Sequence, residues 1–222
     1  MDLNNYRESN ISKDFNIHDG VLVAYTGTDS HLTLPSGIVE IGENAFAGNE
    51  YIEEIVIPEG VVKIGAAAFQ ECSELRTVFL PQSLKAIELF AFSDSSIEEI
   101  RLPSGLESLG SEGAFAGTNL KRVVIPGSIR VVPAQAFSGC DYLKEVVLEE
   151  GITELEFDAF GYCSRLETIH IPDSLVRISE GTGFGDASFN DCTRLTNVHA
   201  SAKWKFAHPD LMRLILAASE NA

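Results

Sequence analysis

The chain has 222 residues, 33 aspartates and glutamates against 16 lysines and arginines, a formal net charge of −17 and 45% hydrophobic residues. That length admits one or two domains with a sizeable core. The acidic balance is spread along the chain; it repels phosphate backbones, which argues against nucleic acid and anionic membranes, while tolerating cationic partners. No run reaches the roughly 18 apolar residues of a membrane helix, so membrane insertion is not expected.

The first stretch, "MDLNNYRESN", is polar and acidic and shows no signal peptide. Residues 1–14 are expected to be a flexible N-terminus. Residues 15–25, "FNIHDGVLVAY", read as a hairpin. Phe15 and Ile17 alternate, Asp19-Gly20 supplies a two-residue turn, and Val21, Val23 and Tyr25 alternate on the return.

A repeat follows. Residues 50–60, "EYIEEIVIPEG", and residues 164–174, "SRLETIHIPDS", share one frame: Ile52, Ile55, Ile57 and Pro58 match Leu166, Ile169, Ile171 and Pro172. Prolines ending such a strand stand at 35, 58, 81, 103, 126 and 172, with Glu149 in the same slot, at intervals of 23, 23, 22, 23, 23 and 23. A second marker, "AF", ends at Phe46, Phe69, Phe92, Phe115, Phe137 and Phe160, and "SF" ends at Phe189. The last interval is lengthened by an insertion, "SEGTGFGD" (179–186). Two independent markers on one period define an array.

Each unit begins with a strand of alternating aliphatic residues. A turn bearing Gly or Ser leads to a second apolar pair, such as Val61 and Ile64 or Ile152 and Leu155. The unit ends in a tight segment such as "GENAFAGN", too short for a regular helix. One unit cannot bury its own apolar face, but stacked copies can. After the last strand, "LTNVHAS", a helix is expected from about 209, with Trp204 and Phe206 leading in and Leu211, Leu214, Ile215 and Ala218 on one face.

The frames "LETIHIPDSLVRI" and "LRTVFLPQSLKAI", with the corners "AFQEC", "AFSGC" and "AFGYC", resemble BspA-like leucine-rich repeats of bacterial proteins. The resemblance implies a leucine-rich repeat solenoid of the α/β class, β-rich and right-handed. It would hold about seven units, with a parallel sheet on its inner curve, over residues 15–201. The hairpin would cap one end and a helix over 202–222 the other. Such proteins are often displayed at the cell surface or secreted, and some bind host matrix proteins or other bacteria. The chain itself would sit equally well in cytoplasm.

Cys72, Cys140, Cys163 and Cys192 each stand three residues after the corner Phe, where other units hold Asn49, Ser95 and Thr118. The resemblance implies an inward Asn or Cys that satisfies backbone groups at that corner. Disulfide, zinc and nucleophile readings remain as alternatives, although no "CxxC" pair favours a metal.

The strand frame leaves alternate positions free to face outward. One column reads Val56, Phe79, Arg101, Val124, Val147, His170 and His199, and the column before it reads Glu54, Thr77, Glu99, Arg122, Glu145, Thr168 and Asn197. Exposed apolar groups in such a row mark an interaction surface. Valine and phenylalanine also favour strands for their own sake. These are the candidate ligand-binding residues. His170 and His199 fall on neighbouring strands, where they would touch, titrate together or chelate a divalent ion. Nearby carboxylates look few, and no third ligand is apparent.

The sequence contains no "GxSxG", "HExxH", P-loop or EF-hand motif. "EE" pairs at 53–54, 98–99 and 149–150 recur with the repeat and read as solvated positions of the frame. The expectation is a non-enzymatic adhesion or interaction module without cofactor or metal. It would bind a protein or glycan ligand on the inner curve as a monomer. The alternative is a scaffold or spacer that assembles through its ends, an end-to-end dimer included.

Overall fold

A computed structural model describes residues 13–179 and 187–217. Most of the expected flexible segment 1–14, residues 180–186 of the insertion, and residues 218–222 of the expected helix lie outside the described residues.

Strands β1 (Phe15–His18) and β2 (Val21–Tyr25) form the expected antiparallel hairpin. Asp19 and Gly20 turn it with positive φ of 51° and 79°, as a tight two-residue turn requires. The expected alternation on the return strand does not hold. Leu22 and Tyr25 are buried, while Val23 is 42% exposed. The cause is a second pairing: β2 also runs parallel to β4 (Glu40–Ile41), which sets Leu22 opposite Ile41 in the core.

Beyond the hairpin each turn contributes short strands to two parallel ladders. The first turns supply β3 (His31–Thr33), β4, β5 (Glu54–Val56), β6 (Lys63–Ile64), β7 (Thr77–Phe79), β8 (Ala86–Ile87) and β9 (Glu99–Ile100). The later turns supply β10 (Arg122–Ile125), β11 (Val131–Val132), β12 (Glu145–Leu148), β13 (Glu154–Leu155), β14 (Thr168–His170), β15 (Arg177–Ile178) and β16 (Asn197–His199). The first ladder is built as β3-β5-β7-β9 and then β10-β12-β14-β16; the second is β2-β4-β6-β8, with β1 at its edge, and then β11-β13-β15. The chain is thus a β-solenoid of about seven turns.

Both ladders break in the same place, where the sheet expected to be continuous divides. The corners holding Ser95 and Thr118 are one residue shorter than those holding Asn49 or Cys: Ser95 precedes Ile97 by two positions, whereas Cys72 precedes Leu75 by three. The missing residue shifts β9 and β10 out of register. A single bridge, Ala86 to Ser108, extends the second ladder by one turn, and the bridge from Glu112 to Ala134 links the corners of the next two turns.

The corners form a third hydrogen-bonded face that the sequence reading did not anticipate. The Phe46 N–H donates to the Ala68 carbonyl at 2.8 Å, Phe69 to Ala91 at 2.7 Å, and Phe92 to Ala114 at 2.9 Å, one turn ahead each time. Residues two before and two after the Phe adopt positive φ, as at Asn44 and Gly48 or Ala67 and Glu71. Their N–H groups also reach the next turn, Asn44 to Ala66 and Gly48 to Gln70. The left-handed residues therefore buy a backbone bond at every second position of the corner.

Inside this face the rings form one column. Phe46, Phe69, Phe92, Phe115, Phe137, Phe160 and Phe189 stack with centroids 4.7 to 5.6 Å apart and planes within 9°. Tyr25 and Phe15 extend it through tilted contacts into the hairpin. Each such pair adds about 0.5–1.5 kcal/mol beyond the area it buries.

The far end carries two helices where one was expected, α1 (Ala202–Ala207) and α2 (Pro209–Ala217). The Ser201 hydroxyl caps α1 by accepting from the Trp204 N–H at 3.0 Å. Trp204, 1% exposed, donates its indole N–H to the Leu175 carbonyl at 2.7 Å. Ile215 of α2 is buried, and Leu211, Met212 and Leu216 pack against the core.

Phe115→Ala is expected to cost about 3–5 kcal/mol by urea unfolding, since it opens the column where the strand ladders already break. At Gly48 (φ 68°) an added Cβ meets nothing within 4 Å, so Gly48→Ala should cost only the backbone term of about 1 kcal/mol. At Gly127 the same Cβ would fall 1.7 Å from the Glu150 carbonyl oxygen. Gly127→Ala should therefore be the more damaging of the two, and the reverse order would contradict the close approach of these turns.

Candidate ligand-binding face

The first ladder places the candidate residues as the alternation requires, with one exception. Glu54, Thr77 and Glu99 are in register across β5, β7 and β9, and Val56 stands opposite Phe79. In the later turns Arg122, Glu145, Thr168 and Asn197 share one column, and Val124, Val147, His170 and His199 share the other. Arg101 falls one residue beyond β9 and outside the register, because that ladder ends at Ile100. The residues between them, such as Ile55, Val78 and Val146, are buried.

Two residues of this face were missed. β3 pairs with β5 and sets His31 opposite Glu54 and Thr33 opposite Val56. The signal was present in "HLTLP", which ends at Pro35 and carries the same frame.

The face divides by chemistry. In the later turns its polar groups satisfy one another. Arg122 Nε donates to Glu145 Oε2 at 2.9 Å, and Glu145 Oε1 lies 3.2 Å from His170 Nε2. The His170 and His199 rings stack at 4.6 Å and 13°. Glu145, one carboxylate, reaches His170 diagonally from the preceding column. Among the described residues no group of three or more His, Cys, Asp or Glu is arranged to hold a metal ion. In the earlier turns Phe79 is 50% exposed, with Glu54 and Glu99 on either side.

The recurring acidic residues bind turns together. Glu98 pairs with Lys121, Glu40 with Lys63 and Glu154 with Arg177. Glu59 accepts from the backbone N–H groups of Gln82 at 2.9 Å and Ser83 at 3.1 Å, and the Ser83 hydroxyl donates to the Val61 carbonyl at 2.8 Å. Glu150 repeats the arrangement with Asp173, Ser174 and Ile152. Of the "EE" pairs, Glu98 and Glu150 thus fasten neighbouring turns.

The four cysteines are buried and free. Each thiol donates to the carbonyl of the preceding turn's Phe: Cys72 to Phe46 and Cys140 to Phe115 at 3.2 Å, Cys163 to Phe137 at 3.1 Å, and Cys192 to Phe160 at 3.0 Å. In the shorter corners Ser95 and Thr118 bond instead to the Phe of their own turn, at 2.7 and 2.9 Å. Burial pushes the Cys72 thiol up to about 12 and Cys163 well above its usual value. Neither is a nucleophile at neutral pH.

The repeat, the ladders and the corners agree with a family comparison. The chain matches the BspA type leucine rich repeat region, in six copies, over residues 24–113 and 111–208. The chain belongs to the BspA type leucine-rich repeat family. Among solved structures it is similar to a leucine-rich repeat protein of Bacteroides ovatus, with 28% identity, a TM-score of 0.71, and coverage of 84% of this chain and 51% of that one. It spans about half of that protein's length. A leucine rich repeat protein of T. pallidum matches at 27% identity and TM-score 0.73, with 90% of this chain and 94% of that chain covered. The pneumococcal vaccine antigen PcpA shares the fold at 23% identity and TM-score 0.63, over 85% of this chain and 45% of that one. No curated protein sequence matches. The BspA type family points to an interaction module, and no described helix is long and apolar enough to cross a membrane.

The fasteners give a pH dependence. The Gln82 N–H, and after it that of Ser83, hold the Glu59 carboxyl below its ordinary 4.5. A group depressed in the folded state contributes stability above its unfolded value and loses it as pH falls through the folded one. Wild type should therefore exceed Glu59→Gln in thermal stability at neutral pH, with the gap closing below pH 4.5. A gap independent of pH would exclude the carboxylate as the fastener.

Proposed function

We propose that this chain is a non-enzymatic adhesion or interaction module whose first ladder, the inner curve of the array, binds a protein or glycan ligand. The solenoid over 15–201, closed by its hairpin and by the helical segment 202–222, serves to hold that face. The observation that carries the reading is the exposure of Phe79: a large aromatic group stands half in solvent at a slot the fold leaves free. Val56, Val124 and Val147 continue the apolar row, each only partly buried. Every inward position is filled by packing, so the residues between are the part of the strand available for recognition. Display at the cell surface is the setting this family favours.

A screen of the folded protein against host matrix proteins and a glycan array tests the reading. A ligand should be found, and Phe79→Ser/Val124→Ser should abolish its binding while leaving the circular dichroism unchanged. Retained binding in the variant would remove this face from the function.

Phe206, 91% exposed on α1, favours a second reading, a scaffold that assembles through its ends. On that reading the protein sediments as a dimer and Phe206→Ser as a monomer. A monomeric wild type at high concentration would dismiss it.

A further inference from the structure

The charges of the later half of the first ladder are paired with one another, whereas the earlier half carries carboxylates that take part in no ion pair among the described residues. Phe79 lies on β7, between β5 and β9. Val56 stands opposite it, and Thr77, two residues earlier on the same face, stands between Glu54 and Glu99. Glu54 and Glu99 are therefore its diagonal neighbours on opposite sides. Such neighbours lie about 7–8 Å away, within reach of one long side chain. Among the described residues neither carboxylate takes part in an ion pair, whereas Glu40, Glu98, Glu107, Glu145 and Glu154 each hold a cation of an adjacent turn. The Phe79 ring is free as well: the cation–π contact among the described residues is that of Arg165 over Tyr142.

We infer that the ligand of this half-face is a basic polypeptide segment, with an arginine or lysine seated on Phe79 between Glu54 and Glu99. This rests on the reading of the first ladder as the binding face. An exposed aromatic ring attracts a cation through its quadrupole, and Arg is the commoner partner. Flanking carboxylates complete the recognition of such a group. The net charge of −17 steers cations toward the protein from a distance. The four strands from β3 to β9 span about 14 Å, which matches the reach of alternate side chains along four or five extended residues. Arg101, one turn beyond Phe79, bounds the site and sets where a cation is unwelcome, and His31, opposite Glu54, marks its other edge.

The test uses the full chain and a fluorescein-labelled peptide alternating arginine and glycine, read by fluorescence anisotropy. The counterpart replaces each arginine with glutamate. The arginine peptide should bind saturably, more weakly as salt rises, and the glutamate peptide should not bind. Glu54→Gln/Glu99→Gln should weaken binding about tenfold and Phe79→Ser about threefold or more. Arg101→Glu should strengthen it about threefold, a sign that damage to the fold cannot produce. The remote pair Glu50→Gln/Glu149→Gln should change it by less than about twofold.

An equal loss in the remote pair would reduce the effect to bulk charge and overturn the proposal. Weakening by Arg101→Glu would do the same. Displacement by spermine as readily as by unlabelled peptide would overturn the polypeptide assignment. If the arginine peptide fails while Phe79→Ser/Val124→Ser still abolishes a ligand from the screen, the face stands and its basic ligand falls. If both fail, the face itself is not the binding site.

Discussion

The structure depends on the stacking of one phenylalanine per turn. A ring 4.7 to 5.6 Å from the rings before and after it fixes the rise of the solenoid at nearly a strand spacing. Once that rise is set, the corner N–H groups meet carbonyls of the next turn, and two strand ladders close at the same height. The column is also the most continuous element. Between β9 and β10 the strand ladders break, yet Phe92, Phe115 and Phe137 remain at 5.2 and 5.3 Å. Aromatic stacking and corner hydrogen bonds therefore carry the register where the strands do not.

Corner chemistry follows from the same constraint. The carbonyl of a corner Phe can accept a side-chain donor, and the length of a corner decides whether its small side chain reaches the Phe of the preceding turn or that of its own. Where the corner has its full length, a Cys thiol crosses to the preceding turn; where it is one residue shorter, a hydroxyl turns back on its own turn. This explains why cysteine recurs at the full-length corners. A weak donor with apolar character suits a site sealed between stacked rings.

Much of this was legible in the sequence because a repeat multiplies a weak signal. The strand frame at Ile52-Ile55-Ile57 says little alone, but seven copies in register define the ladder and its outward columns. What escaped had reasons of three kinds. His31 and Thr33 lay in a unit whose strand was overlooked beside the hairpin, although Pro35 marked it. Leu22, Arg101 and Glu145 depended on pairings between elements: β2 joining the second ladder, β9 ending early, and a diagonal contact across strands. The corner ladder was hidden because positive φ at Ala67, Glu71 or Tyr162 leaves no mark in residue type, as it would at glycine. The cap of α1 rests on Ser201 alone, a weaker helix-start signal than Pro209 with Asp210 at the next helix.

The division of the first ladder bears on where recognition falls. In the later turns Arg122, Glu145 and His170 are already bonded to one another, and His199 stacks on His170. A ligand that engaged them would first have to break contacts the protein makes with itself, so little of its interaction would appear as affinity. In the earlier turns Glu54 and Glu99 bring no such debt, and Phe79 offers a large surface already in water. The short corners at Ser95 and Thr118 separate the two regions, so each half-face can vary without disturbing the ladder register of the other. An array of identical frames can thus hold one satisfied surface and one receptive surface in a single sheet face, and the proposed binding activity resides in the second.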